Sequence, residues 1–331
     1  MKKKPAPHIR TQMNISLIYP NVLIGLAPMA FAAIYYHGIR AVFLLLLSIL
    51  FSGFLDFLYV TMVRKEKYVW EGSSFVSGGV LALLLPPDTP IWILLIGVFF
   101  SIIVIKQCFG GLGSNLFNPA FAGKAILLML FPHAMTAYSE PIVHRLQIES
   151  LFYGTLMSPV FQSFDMSNVS LLECLSGRYP GALGTTCALA VLIGGVYLVL
   201  VGIVRPHAPV AYVSAVVLMY FFLFYPFSGS ADLLPQIVFQ DGLLFAAIFA
   251  TGDYSTTPVT GVGRVIFGAG AGILAVLLVR FSHPIFAVVF PILAMNLLTP
   301  VLDLMVRQKI FGEPRSKISD LRKKVLKGGP V

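Results

Sequence analysis

Charged side chains are scarce. Asp, Glu, Lys and Arg make up 11% of the 331 residues, where a soluble globular domain carries about 25%. Too few polar groups are left to cover a soluble surface. Cysteine is nearly missing as well. Cys108, Cys174 and Cys187 form no metal-like cluster and cannot hold an iron–sulfur centre by themselves. The spacing of Cys174 and Cys187 permits a disulfide, against the plainer reading of buried thiols. The 6 histidines sit scattered at loop edges, so no metal site is expected. There is no Walker loop and no dinucleotide fingerprint, which argues against nucleotide hydrolysis. Acidic residues are outnumbered, 14 to 23, for a net charge of +9. The cations cluster at the chain ends and in short loops, where a lipid bilayer explains them and no nucleic-acid partner is needed.

Apolar residues are what the sequence has in plenty, at 57% and a mean hydropathy of +0.87. A membrane span needs about 20 of them. Apolar runs fall near 19–36, 40–63, 73–86, 90–105, 118–132, 184–204, 208–227, 241–252, 262–280 and 284–305. The expected fold class is therefore an all-α polytopic membrane protein of about ten spans. The runs 73–86 and 241–252 are too short to cross as straight helices and read as half-helices or re-entrant segments. The first run lacks a small-residue cleavage site and reads as a retained span. With ten crossings, Arg64, Lys65, Lys67, Lys106, Arg205, Arg264 and both basic chain ends fall on one side; Arg40, Arg145, Arg178 and Arg280 fall on the other. The positive-inside rule puts the first side in the cytoplasm. The expected organisation is a cytoplasmic segment 1–18, a first membrane repeat 19–132, an extracytoplasmic loop 133–183, a second membrane repeat 184–306 and a basic cytoplasmic tail 307–331.

The two halves repeat one plan. Glu71-Gly72 opens a short apolar segment that ends at Pro86-Pro87; Asp241-Gly242 opens another that ends in the polar turn Asp253 to Pro258. Each is followed by a long run that closes on a cation, Lys106 or Arg280, and then by a run containing an asparagine, Asn118 or Asn296. Five crossings per half is an odd number, so the halves run in opposite directions: an inverted 5+5 repeat with broken helices.

Chemistry concentrates in the block from Lys106 to Lys124. Gly110, Gly111 and Gly113 permit tight turns. Asn115 and Asn118 supply amide groups beside a helix start, with Asn118 as N-cap and Pro119 in the first turn. A helix N-terminus there offers N–H groups to a phosphate or a carbonyl; a glycine-rich connection packed between helices fits the same residues. Asp56, Glu71, Lys124, Asp241 and Asp303 lie in or at the edge of spans. Each costs about 2.5–3.5 kcal/mol against lipid on insertion scales, so each should face the protein interior, a cavity or the interface.

The sequence resembles the family of the D subunit of the Rnf ion-translocating oxidoreductase complex and, more distantly, the B subunit of the sodium-translocating NADH:quinone oxidoreductase. The similarity rests on Pro7 to Arg10, Glu71 to Ser74, Ser77-Gly78, Leu85 to Pro87 and the Lys106 to Gly123 block. In the second half it rests on Gly242 to Ala247, Ala250-Thr251, Asp253 to Pro258, Gly263-Arg264, Ala294 to Asn296, Pro300 and Asp303. The resemblance implies a component of a bacterial or archaeal cytoplasmic membrane that carries FMN and passes electrons while its complex moves Na⁺ or H⁺. Its partners would be the other membrane and peripheral subunits of an Rnf-like complex. The family attaches FMN to a threonine in a Ser-Gly-Ala-Thr type motif. Here Ser170 stands in the threonine's place, and Asn168 and Val169 replace the small pair, so the usual attachment motif is absent. Lys106, Gly110, Gly111, Gly113, Asn115, Asn118, Asp253 and Thr256 are the other candidate cofactor contacts. An inverted-repeat solute channel without a redox role is the alternative reading.

Overall fold

A computed structural model describes residues 15–70, 72–136, 138, 171–228, 238, 242–253, 255–282 and 284–306. Glu71, Ser170 and Asp241 lie outside the described residues, as does most of the expected loop. Among the described residues, ten apolar helical segments build the bundle: α1 (Ile15–His37), α2 (Ile39–Tyr59, widening into a π-helical turn, Val60–Arg64), α3 (Ser73–Leu84), α4 (Ile91–Phe99, continuing as a π-helix, Phe100–Gln107), α5 (Pro119–Leu130), α6 (Ala188–Leu200), α7 (His207–Leu223), α8 (Leu243–Phe245, continuing as a π-helix, Ala246–Ala250), α9 (Gly261–Phe281) and α10 (Pro284–Met305). No strand occurs among the described residues. The molecule is an all-helical polytopic membrane protein.

Four segments are long and apolar enough to cross a bilayer unaided: Leu17–His37, Ile39–Arg64, Gly261–Phe281 and Pro284–Met305. Besides the two short segments expected from the sequence, α5 (12 residues), α6 (13 residues), α7 (17 residues) and α4 with its π-helical continuation (Ile91–Gln107) also fall short of a span. The shortest helices sit innermost. Ala246 to Ala250 are all buried, as are Leu81 to Leu84. A short helix leaves backbone groups unpaired at membrane depth, where no water can satisfy them, so protein must. The last carbonyls of α3 illustrate this: Leu83 accepts from the Gly184 N–H at 2.8 Å and Leu85 from the Leu183 N–H at 3.0 Å. Long helices provide the outer face, with Leu46, Leu50 and Phe54 of α2 and Leu297, Val301 and Leu304 of α10 exposed.

The contacts fix the direction of each helix. The end of the bundle where α1 begins is called the lower end. There Arg64 of α2 donates to the Gln107 carbonyl of α4, and Asn118 of α5 donates to Asp253 beyond α8. At the opposite end Tyr36 of α1 donates to the Ser176 carbonyl, and Arg40 of α2 to the Pro87 carbonyl. Thus α1, α3 and α5 begin at the lower end, whereas α6 and α8 finish there. The second half is the first turned over.

The two short central helices begin alike. Gly72 precedes α3 with φ +79°, and Gly242 precedes α8 with φ +90°. A side chain in that left-handed region costs about 1–2 kcal/mol. A Cβ at Gly242 would also lie 2.8 Å from the Thr185 side chain, and one at Gly72 would lie 3.1 Å from Tyr19. Gly72→Ala and Gly242→Ala should therefore each lower stability by at least that amount in detergent unfolding. A neutral result at either would remove the equivalence of the two helix starts.

Candidate functional site

Asn118 caps α5 as its sequence predicts. Its Oδ1 accepts from the N–H groups of Ala120 (3.2 Å) and Phe121 (3.4 Å), and Pro119 has no N–H to satisfy. Its Nδ2 reaches across to the Asp253 carboxylate at 3.1 Å. Asn296 of α10 joins them, accepting from the Asn118 N–H at 3.0 Å and donating to the Thr256 carbonyl at 3.2 Å. Thr299 donates to that same carbonyl at 3.0 Å. The start of α5 is thereby tied to the turn after α8 and to α10, so first and second halves meet through polar groups. Loss of the cap in Asn118→Ala should cost about 0.5–2 kcal/mol, toward the upper end because Asp253 loses a donor too. Thermal unfolding of the two proteins side by side measures it.

The turn Asp253 to Pro258 is organised by its own carboxylate. Asp253 accepts from the Ser255 N–H (3.1 Å), the Ser255 hydroxyl (2.9 Å) and the Thr256 hydroxyl (3.2 Å). Thr256 therefore serves the turn and does not line the neighbouring cavity.

The glycine-rich turn closes α4. The Gly110 N–H donates to the Gln107 carbonyl (3.1 Å) and the Gly111 N–H to the Lys106 carbonyl (2.9 Å). Gly110, Gly111 and Gly113 take φ of +115°, +89° and +83°. At Gly111 a Cβ would lie 3.0 Å from the Arg64 guanidinium. The N–H groups of Gly110 and Gly111 are thus used within the turn. A Cβ at Gly113 would meet nothing within 4 Å.

Beside that turn lies a buried charge cluster. Lys106, 3% exposed, places its Nζ 3.1 Å from Asp56 Oδ1 and 2.7 Å from each of the Ser73 and Ser74 hydroxyls. Gln107 also donates to Asp56 Oδ1, and the Tyr68 hydroxyl donates to Asp56 Oδ2 at 3.1 Å. The sequence marks Asp56 and Lys106 as charges to be explained. Their pairing across 50 positions, and the parts played by Ser73, Ser74, Gln107 and Tyr68, carry no sequence signal. Lys124 is wholly buried in α5, and Asp303 accepts from the Val259 N–H at 3.0 Å.

A cavity of ≈ 80 Å³ lies at the lower end between the halves. Its walls are largely apolar, with Val22 of α1, Val76 and Val80 of α3, Leu112 of the glycine turn, Leu198 of α6 and Phe249 of α8. Polar groups at its edge include Lys106, Asn115, Asn118, Asp253, Ser73 and Ser255. Four of the sequence candidates thus converge on one cavity: Lys106, Asn115, Asn118 and Asp253. Asn115 is 9% exposed, and its Oδ1 is buried without a hydrogen-bond partner. Among the described residues no group of His, Cys, Asp and Glu could hold a metal ion.

Known proteins are similar over nearly the whole chain. The D subunit of the Na⁺-translocating ferredoxin:NAD⁺ oxidoreductase complex of Acetobacterium woodii is 31% identical over 94% of this chain and 95% of its own length. The D subunit of the proton-translocating ferredoxin:NAD⁺ oxidoreductase complex of Clostridium ljungdahlii is 29% identical over 94% and 96%. The D subunit of the ion-translocating oxidoreductase complex of Actinobacillus succinogenes is 29% identical over 94% and 98%. The sequence profile of the NQR2, RnfD, RnfE family matches residues 2–312. The chain belongs to the NQR2, RnfD, RnfE family.

Proposed function

We propose that this protein is the D-type membrane component of an Rnf-like complex, working with sibling membrane and peripheral subunits in redox-driven translocation of Na⁺ or H⁺, and that it holds a flavin for electron passage. The observation that carries this is similarity over 94% of the chain to relatives named as the D component of such complexes, joined to a cavity lined by both halves. Relatives named for Na⁺ and for protons stand at nearly the same identity, 31% and 29%, so overall likeness does not select the ion. The lower end, with Arg64, Lys65, Lys67, Lys106, Arg205 and Arg264, is assigned to the cytoplasm by the positive-inside rule.

The lining of the cavity has the chemistry that contacts one edge of a flavin ring. Such a site needs apolar walls and a few polar groups that fix orientation. Val76, Val80, Leu112 and Phe249 offer the walls. The Asn115 amide, with its Oδ1 unpaired, offers an acceptor and a donor to an imide edge. The same cavity does not suit a phosphate. The first N–H groups of α5 are capped by Asn118, Lys106 is directed at Asp56, Ser73 and Ser74, and Asp253 places a carboxylate at the rim. FMN attached through its phosphate therefore belongs to a separate place, for which Ser170, outside the described residues, is the candidate. When bound, a flavin supplies one- or two-electron chemistry; the chain supplies the walls, the amide and a fixed carboxylate.

Absorbance of the purified protein tests the proposal, with flavin bands expected. Flavin fluorescence that survives denaturing electrophoresis and vanishes in Ser170→Ala would place a covalent group there. A colourless protein that conducts a small polar solute in liposomes would favour the channel reading.

A further inference from the structure

We propose that Tyr68, Asp56 and Lys106 form a proton relay from the solution at the lower end to the cavity between the halves, with Asp56 as the exchanging carboxylate. The proposal rests on the reading of that cavity as a redox site, since only there does a proton acceptor arise. Three observations carry it.

The contacts are continuous. Tyr68, half-buried on the loop after α2, donates to Asp56 Oδ2 at 3.1 Å, and Lys106 donates to Asp56 Oδ1 at 3.1 Å. Lys106 and Ser73 both line the cavity. Both links, and the 2.7 Å contact from Lys106 to the cavity-lining Ser73, are within hydrogen-bond reach, which is the first requirement for proton transfer.

The loop that completes the chain is held in place at a cost. Lys65 adopts φ +56°, the only non-glycine residue with positive φ among those described, in a region costly to an L side chain. That turn brings the following residues back over the end of α2. Tyr68 then packs edge-on to Phe57 and to Trp70, and Trp70 stacks on Phe75 of α3 at 5.8 Å. Tyr68 therefore stands between solution and a carboxylate that is only 6% exposed.

The matching cation of the second half is placed differently. Arg280, which corresponds to Lys106 in the repeat, is exposed and lies over the Phe281 ring. Burial of this cation thus belongs to one half and is not a requirement of the repeated helix hairpin. Stability alone is a weak reason to bury an ion pair, because desolvation offsets most of the attraction.

Protons balance at each step. If a group in the cavity became basic on reduction by the electron-donating component of the complex, the Ser73 Oγ–H bond would break and that proton would pass to it. Ser73 would take one from Lys106 Nζ, whose three N–H bonds point to Asp56, Ser73 and Ser74. Asp56, no longer facing a cation, takes the Tyr68 hydroxyl proton on Oδ2, and Tyr68 takes one from water at the lower end, which leaves hydroxide in the solution. Rotation of the Asp56 carboxyl about Cβ–Cγ then brings the new O–H to the neutral Lys106 amine. One proton has moved from solution to the cavity, and Tyr68, Asp56, Lys106 and Ser73 are restored. Among the described residues, Lys106 and Tyr68 are the titratable groups that hydrogen-bond to Asp56, and Arg64 stands nearby on the Gln107 carbonyl.

The test uses the intact complex, mixed rapidly with dithionite in H₂O and D₂O across a pH series while flavin absorbance is followed. Wild type should slow in D₂O and at high pH. Asp56→Asn should slow the proton-coupled phase by about tenfold or more and lose the isotope effect, Asp56→Glu should restore both, and Tyr68→Phe should give an intermediate loss. If Asp56→Asn does not assemble, Tyr68→Phe decides, since it removes one hydroxyl and leaves Lys106 paired. Variants that keep their flavin and react as wild type does, with the same isotope effect, would overturn the relay and leave the flavin site standing. A colourless complex would instead overturn the flavin site. The relay falls with it, because the cavity then holds no proton acceptor. In the coloured complex, redox-induced infrared difference spectra should show a carboxyl change that Asp56→Asn removes, and its absence overturns the relay.

Discussion

Lys106→Met is expected to lower the unfolding free energy by about 3–5 kcal/mol, the range for removing one partner of a buried ion pair. The ammonium lies 3.1 Å from Asp56 Oδ1, with side-chain exposures of 3% and 9%. Removing it strands a carboxylate and two serine hydroxyls away from water. Gln107 and Tyr68 would still donate to Asp56 but bring no full charge. The double variant Lys106→Met with Asp56→Leu should regain most of the loss, because the desolvation penalty leaves with the second charge. Chemical unfolding in detergent of the singles and the double supplies the cycle. A loss in the double variant equal to the sum of the losses in Lys106→Met and Asp56→Leu would mean that the two charges are not coupled.

The second large effect is expected where the halves touch through glycine. A Cβ at Gly194 of α6 would overlap the Gly25 carbonyl oxygen of α1 and lie 2.8 Å from the Met29 side chain. The obstacle is backbone, which cannot rotate aside. Gly194→Val must push α6 off α1, at about 1–3 kcal/mol or more. Close approach of small residues is the main source of helix association inside a bilayer, where burial of apolar surface gives no advantage over lipid. Gly261→Ala is the matching control: nothing lies within 4 Å of a Cβ there, and the change should stay within about 0.5 kcal/mol. A neutral Gly194→Val would contradict the close crossing of α1 and α6.

Much of the plan was legible because it follows from solvent. Lipid demands long apolar runs, and each of the ten runs read from the sequence contains a helical segment. Asn118-Pro119 announced a helix start because cap chemistry is local. Gly72 and Gly242 marked paired helix starts because only glycine takes a left-handed turn cheaply. The site was legible in part. Lys106, Asn115, Asn118 and Asp253 meet at one cavity as polar groups that lipid excludes. Gly110 and Gly111 were legible as a turn, yet whether their N–H groups faced a ligand or a helix end depended on α4, whose carbonyls they cap.

By itself, then, the sequence determined a membrane bundle of two oppositely directed halves and the residues too polar for lipid. Tertiary structure alone decided that Asp56 pairs with Lys106, that Asn296 bridges Asn118 and Thr256, and that α5 and α6 are short. Hydropathy is a property of one segment in one solvent and can be summed along the chain. A hydrogen bond between residues 50 or 178 positions apart depends on how whole helices cross, and that is set by packing over every contact at once.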